Sequence, residues 1–226
     1  MELVFDERRS DSPYIEGVWR THSERSGDFT SLADSRSELV VTRYRGKTSF
    51  TVRGPETRAS AADYPADAEF FGIILKLGTF MPHLPTRTIM DRRDLTLPEA
   101  GGRRFWLHGA AWELPSFDNA DTFADRLMRE GVLVRDPLIE MVLSGIPCPL
   151  SIRAQQYRFV QATGLTQTTI QQIARARQAM TLLQQGVSIL DTISELGYYD
   201  QPHLTRALKR FVGQTPAQIA RAGAAV

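Results

Sequence analysis

His203, Arg206, Lys209 and Arg210 recur at steps of one to four along the segment 201–212, while Leu204, Leu208 and Phe211 stand at i, i+4 and i+7. On a helix these are two separate stripes, so one side can be buried while the other presents cations to a partner. Arginine can pair bidentately with a guanine edge, and lysine or arginine can neutralise phosphates, so the chemistry this pattern suits is contact with duplex nucleic acid. A second set stands upstream. Arg153, Gln156 and Tyr157 fall at i, i+3 and i+4, with Ile152 and Phe159 expected to point to the other side.

Catalytic and metal chemistry find less support. The four histidines, His22, His83, His108 and His203, are scattered without a His-x-His pair, and Cys148 is the single cysteine, so zinc spacing and an intrachain disulfide are both excluded. No Gly-x-Ser-x-Gly, P-loop or Gly-x-Gly-x-x-Gly is present. The reading therefore assigns no catalytic residue, no metal and no cofactor. No apolar run reaches the roughly 18 residues of a membrane span, and the N-terminus lacks a signal pattern, so the expectation is a cytoplasmic protein without a membrane partner.

The elements that must hold these side chains follow from periodicity. Helices are expected from about residue 119, after Asp118, Asn119 and Asp121, and over 137–144 with Pro137 at the first helical position. Four more are expected over 151–163, 167–185, 188–196 and 201–212, with Ser151 and Ser188 as caps and Gly164, Gly186, Gly197 and Gly213 as stops. Two helix-turn-helix patterns result, one on each side of the 167–185 helix. That helix is about 28 Å long, comparable with the roughly 34 Å between successive major-groove faces.

The preceding half reads as strands. Segments 38–44 and 48–53 flank Arg45-Gly46-Lys47 as a hairpin; 70–77, 15–21 and 104–107 are further strands. Short strands separated by turns suggest a small barrel or sandwich. The halves also differ in charge. The net charge of +1 conceals 19 Lys+Arg against 23 Asp+Glu up to Pro149 and 8 against 3 from Leu150 on. All twelve glutamines lie at or after Gln155, and all three tryptophans lie before Pro115. Two modules with different partners are implied, the basic one suited to nucleic acid.

The segments 151–166 and 175–183, and then Leu196-Gly-Tyr-x-Asp200-Gln, Leu204-x-Arg-x-Leu-Lys-Arg210 and Gly213-x-Thr-Pro216, resemble the DNA-binding domain of AraC/XylS-type transcriptional regulators. The resemblance covers about 119–221. It implies two helix-turn-helix units on a linker helix that bind adjacent major-groove segments of a double-stranded operator. It also implies base contacts from Arg153, Gln156 and Tyr157 in the first unit and Gln201, His203 and Arg206 in the second. Phosphate contacts fall to Ser151, Arg158, Arg175, Thr205, Lys209 and Arg210. Two positions depart from the family's pattern: Gln155 replaces a usual core leucine, and Ile193 stands where a small residue is usual.

The expected fold is α+β: a β-rich, barrel-like (cupin-like) sensor or dimerisation domain over 1–115, then an all-α double helix-turn-helix domain over 119–221. By analogy with such regulators, the first domain binds a small-molecule effector or forms a homodimer, and an activator would also contact RNA polymerase. Trp19, Arg43, Phe71, His83, Trp106 and Trp112 are the candidate effector-pocket residues, with a plain aromatic core as the alternative for the tryptophans and phenylalanines. Two other functions stay open: a cupin-like barrel enzyme, and an effector-binding protein with a helical protein-interaction domain.

Overall fold

The computed structural model describes residues 3–91 and 94–223, so residues 1, 2, 92 and 93 of the expected first domain lie outside the described residues. The chain forms two compact units. One comprises Met1–Gly27, Arg36–Pro55 and Asp63–Thr166; the other comprises Asp28–Ser35, Glu56–Ala62 and Gln167–Val226. Residues 115–119, where the sequence suggests a domain boundary, lie inside the first unit.

The strands, in chain order, are β1 (Phe5–Arg9), β2 (Ile15–Ser23), β3 (Gly27–Ser31), β4 (Glu38–Tyr44), β5 (Lys47–Arg53), β6 (Ser60–Tyr64), β7 (Ala68–Leu75), β8 (Thr79–Phe80), β9 (Leu95–Leu97), β10 (Arg104–Leu107), β11 (Ala110–Glu113) and β12 (Val134–Arg135). The helices are α1 (Ala120–Arg129), α2 (Leu138–Leu143), α3 (Ile152–Thr163), α4 (Gln167–Gln184), α5 (Ile189–Leu196), α6 (Gln201–Phe211) and α7 (Pro216–Gly223).

In the first unit six strands form an antiparallel sheet in the order β1-β2-β7-β4-β5-β9. The β4–β5 hairpin is tighter than expected. Lys47 already pairs with Tyr44, leaving Arg45 and Gly46 as a two-residue turn with φ of 49° and 74°. Two positive φ values are those of a type I′ turn, whose twist matches that of the strands it joins.

The sheet is not closed, and the barrel-like expectation is corrected accordingly. β1 and β9 are its two edges. Its apolar face, with Val18, Leu39, Phe50 and Ile73, is covered by Phe105, Leu107 and Trp112 of the β10–β11 hairpin and by Phe123 and Leu127 of α1. The Phe50 and Phe105 rings stack with centroids 4.1 Å apart. Alternating strands demand only that one face be buried. A hairpin and a helix meet that demand as well as closure does.

Helix α1 starts where expected, although Asn119 does not cap it with its side chain: Asn119 Oδ1 accepts a hydrogen bond from the Ser116 N–H at 2.7 Å. Pro137 occupies the position just before α2 rather than its first turn. Helices α2 and α3 pack together within the first unit, and the Thr86 hydroxyl donates to the Ala162 carbonyl at 3.4 Å.

In the second unit α4 is the central helix. Ile170, Ile173, Ala176, Ala179 and Leu183 form its buried stripe, and α5, α6 and α7 pack against it. Helix α7 was not anticipated, yet Thr215-Pro-Ala-Gln218 carries the signal. The Gln218 N–H donates to Thr215 Oγ1, and the Thr215 N–H donates to Gln218 Oε1 at 2.8 Å, a capping box. Among the described residues no helix is long and apolar enough to cross a membrane.

Two segments from the strand-rich half, 28–35 and 56–62, complete this second unit. Asp34 and Glu56 exchange main-chain hydrogen bonds. The Ala33 N–H donates to the Phe211 carbonyl at 2.9 Å and the Ala59 N–H to the Arg210 carbonyl at 2.7 Å, so both serve carbonyls at the open C-terminal end of α6. From α4, Arg177 donates to the Ala33 carbonyl at 3.1 Å and to Asp34 Oδ2 at 2.8 Å.

Candidate nucleic-acid interface

Helix α6 is built as a cationic face on a buried stripe. Leu204, Leu208 and Phe211 are buried, and Gln201, Arg206, Lys209 and Arg210 are exposed. Asp200 caps the helix, its Oδ1 accepting from the His203 N–H at 2.7 Å. This cap was missed in the sequence, although an Asp three residues ahead of the charged face is an ordinary start signal. Pro202 sits in the first turn, where its missing N–H is not needed.

Within that helix the candidate base readers differ in freedom. Arg206 makes no hydrogen bond or ion pair with any described residue. His203 is half-buried, its ring edge-on to Tyr198 at 5.2 Å, and its Nδ1 accepts from the Tyr199 N–H at 3.4 Å. Only Nε2 of that ring is left for a ligand. Thr205 is half-buried beside them.

Helix α5 supports this reader. Ser188 caps it through the Asp191 N–H, and Gly197 ends it in the left-handed conformation. Thr192 is fully buried, and its hydroxyl donates back to the Ser188 carbonyl at 2.9 Å. Ile193 is half-buried, so the larger residue is accommodated at the edge of the packing.

Helix α3 carries the other reader. Ser151 caps it by accepting from the Ala154 N–H at 3.3 Å, and Gly164 closes it. Arg153, Gln156 and Tyr157 are exposed, while Phe159, Ala162 and Thr163 are buried. Gln155, in place of an apolar residue, is half-buried and folds back so that its Nε2 donates to the Leu150 carbonyl at 2.7 Å. Ile152 departs from expectation. It is 74% exposed, because it opens the helix and lies ahead of the turns that reach the core.

The cations assigned to phosphates fall into two groups. Lys209 and Arg210 are exposed, Arg210 lying over the Phe211 ring at 4.9 Å. The other two are already engaged. Arg158 holds Asp136 bidentately, at 2.7 and 3.0 Å, and the Asp136 side chain is largely buried. Arg175 lies over the Tyr198 ring at 4.6 Å. Burial pushes the Tyr198 phenol above its ordinary range, with the Arg175 charge pulling the other way.

The candidate effector residues do not converge on one place. Trp112 is buried in the first unit's core, its Nε1 donating to the Leu107 carbonyl at 3.1 Å, and Trp106 is 48% exposed. Trp19 covers Gly72 on the sheet face opposite Val18 and Ile73; a Cβ at Gly72 would come within 2.2 Å of the indole. His83 stacks on His108 at 4.2 Å, and burial, followed by the charge of His108, holds its imidazole below the ordinary range.

Arg43 and Phe71 do meet, on the core face of the sheet where the apolar floor gives way to polar side chains. There a cavity of about 510 Å³ is lined by Val41 and Phe71, by Arg20, His22, Arg43 and Glu69, and by Asp6 and Phe117. Arg20 pairs with Asp6 at 2.6 Å and Arg43 with Glu69 at 3.1 Å. Arg20 also lies over the Phe117 ring at 4.4 Å. Arg20, His22 and Glu69 were not singled out from the sequence. Their positions at alternate sites of paired strands are the signal that could have found them.

Residues 149–222 match a helix-turn-helix domain of the AraC type. The match takes in α3 to α7 and therefore both candidate recognition helices, while α2 lies outside it. No curated protein and no solved structure matches the chain.

Proposed function

We propose that this chain, which carries an AraC-type DNA-binding domain, is a sequence-specific transcriptional regulator that reads bases with both α3 and α6. The observation that carries the reading is Arg206: an exposed guanidinium without a partner among the described residues, on a capped helix whose opposite stripe is buried, inside the matched segment. An arginine so held is free to pair with a guanine edge. Gln201 and the Nε2 of His203 flank it. Arg153, Gln156 and Tyr157 do the corresponding work on α3.

Lys209 and Arg210 neutralise phosphates, with Ser151 and Thr205 contributing hydroxyls. Arg158 and Arg175 offer the N–H groups that Asp136 and Tyr198 leave free. At 18 residues α4 is about 27 Å long, which suits readers placed on successive major-groove faces. In this proposal the DNA-reading module over 119–221 and the sensor module over 1–115 are divisions of function along the chain and do not coincide with the two packed units. Selection of binding sites from random duplex DNA with the full chain tests this. A recovered motif with two separated half-sites supports the reading; binding without sequence preference overturns it.

Regulation by a small molecule is the second part of the proposal, supported by the cavity that Arg43 and Phe71 line. Its volume of about 510 Å³ falls within the range of small-molecule sites, and its mixed lining offers both stacking and ion-pairing groups. A ligand screen by thermal shift on the full chain, followed by DNA titration, decides it. A ligand whose stabilisation is abolished by Arg43→Ala and which changes DNA affinity is the expected result. Hits indifferent to that substitution would remove the cavity from the account.

A further inference from the structure

At the N-terminal end of each candidate recognition helix stands a large, unburied apolar side chain that the base-reading set above does not use. Ile152 is the first residue of α3 and is 74% exposed. Tyr199 immediately precedes the Asp200 cap of α6 and is 90% exposed. A single exposed apolar residue on a surface needs no explanation. Here each reader carries one directly beside its cap, Ile152 just after Ser151 and Tyr199 just before Asp200.

Neither side chain rests on a loose backbone. Ser151 caps α3 immediately ahead of Ile152. The Tyr199 N–H is held by His203 Nδ1, and the next residue holds the His203 N–H in return. Side chains in a helix lean toward its N-terminus, so Ile152 projects toward the start of α3, while Tyr199 already lies ahead of α6.

In helix-turn-helix proteins it is the N-terminal residues of the recognition helix that meet base edges. The one apolar group displayed on those edges in the major groove is the C5 methyl of thymine. We propose that Ile152 and Tyr199 read thymine methyl groups, one in each half-site, and so supply a share of sequence preference separate from that of the arginines. This inference rests on the reading of α3 and α6 as base readers.

Replacing thymine by uracil tests it, because the exchange removes the methyl and leaves every hydrogen-bonding group in place. The motif is first selected with the full-length protein, and each thymine is then replaced singly by uracil. One thymine in each half-site is expected to lose about fourfold in affinity, the value of burying one methyl-sized group. With Ile152→Ala the uracil penalty disappears in one half-site only. With Tyr199→Ala it disappears in the other. Tyr199→Phe keeps the penalty, since the ring makes the contact; loss of affinity with Phe together with equal binding of thymine and uracil would assign the hydroxyl to a phosphate and overturn the tyrosine part.

Both side chains are exposed, so the alanine variants are expected to melt with the wild type and to bind unrelated DNA equally. The possible failures differ in kind. If no motif is recovered, the base-reading function itself falls and this inference with it. If a motif is recovered but lacks a methyl-sensitive thymine, or if the uracil penalties persist in both alanine variants, the methyl readout is wrong while the regulator reading stands.

Discussion

Two side chains of α6 separate base reading from charge neutralisation. Arg206→Ala is expected to cost about 1–3 kcal/mol at the selected site and to relax preference at one base pair. Lys209→Ala should weaken binding to all sequences alike and lower the salt slope by about one unit. Titrations of both variants on cognate and scrambled duplexes across salt decide between the roles; identical, sequence-uniform losses would make Arg206 a phosphate clamp. Arg158 differs from both, because it serves Asp136 first. Removing it leaves a largely buried carboxylate unpaired, so Arg158→Ala should lower stability by about 1–2 kcal/mol in denaturant titration, a cost Lys209→Ala does not share. His83 adds a pH effect. Its imidazole is held below the ordinary value near 6.5, first by burial and then by His108, so the folded state takes up its proton less readily than the unfolded chain does. Stability should therefore fall as pH drops below about 6.5, and His83→Gln should flatten that part of the Tm profile. An unchanged slope would assign the acid sensitivity to other groups.

At the level of elements, the helices were legible and their supports were less so. Caps at Ser151 and Ser188, stops at Gly164 and Gly197, and the Leu204-Leu208-Phe211 stripe placed α3, α5 and α6 to within a residue or so, because local capping and a 3.6-residue period act over one or two turns. The strands with strong β-branched runs were placed equally well. Short strands such as β8 and β12 escaped, since two paired residues have no periodicity to read. Leu208→Ala should cost about 2–5 kcal/mol, as expected of a fully buried leucine, and should loosen α6 from α4. A fall in thermal stability with sequence preference unchanged in the folded fraction is the expected outcome.

For the whole chain, the second unit's composition was the least accessible from sequence. Segments 28–35 and 56–62 donate hydrogen bonds to the last carbonyls of α6, and the first of them accepts two from Arg177. A fragment over 119–226 lacks both segments. It should be helical yet melt at a lower temperature than the same helices in the full chain, and Asp34→Ala in the full chain should reproduce a small part of that loss. Circular dichroism melts of the three proteins measure this; equal melting of fragment and full chain would reduce the two segments to passive contacts.

By itself the sequence determined the local and the chemical: which residues are helical, which carry positive charge, and which spacing puts cations opposite a buried stripe. These depend on capping, periodicity and residue type, all read over fewer than a dozen positions. Tertiary structure alone decided that the sheet stays open, that Arg158 is tied to Asp136 some twenty residues upstream, that Ile152 opens its helix unburied, and that strand-half segments complete the second unit. Each depends on partners far apart in the chain, whose choice is made by which apolar faces and unpaired main-chain groups meet on folding.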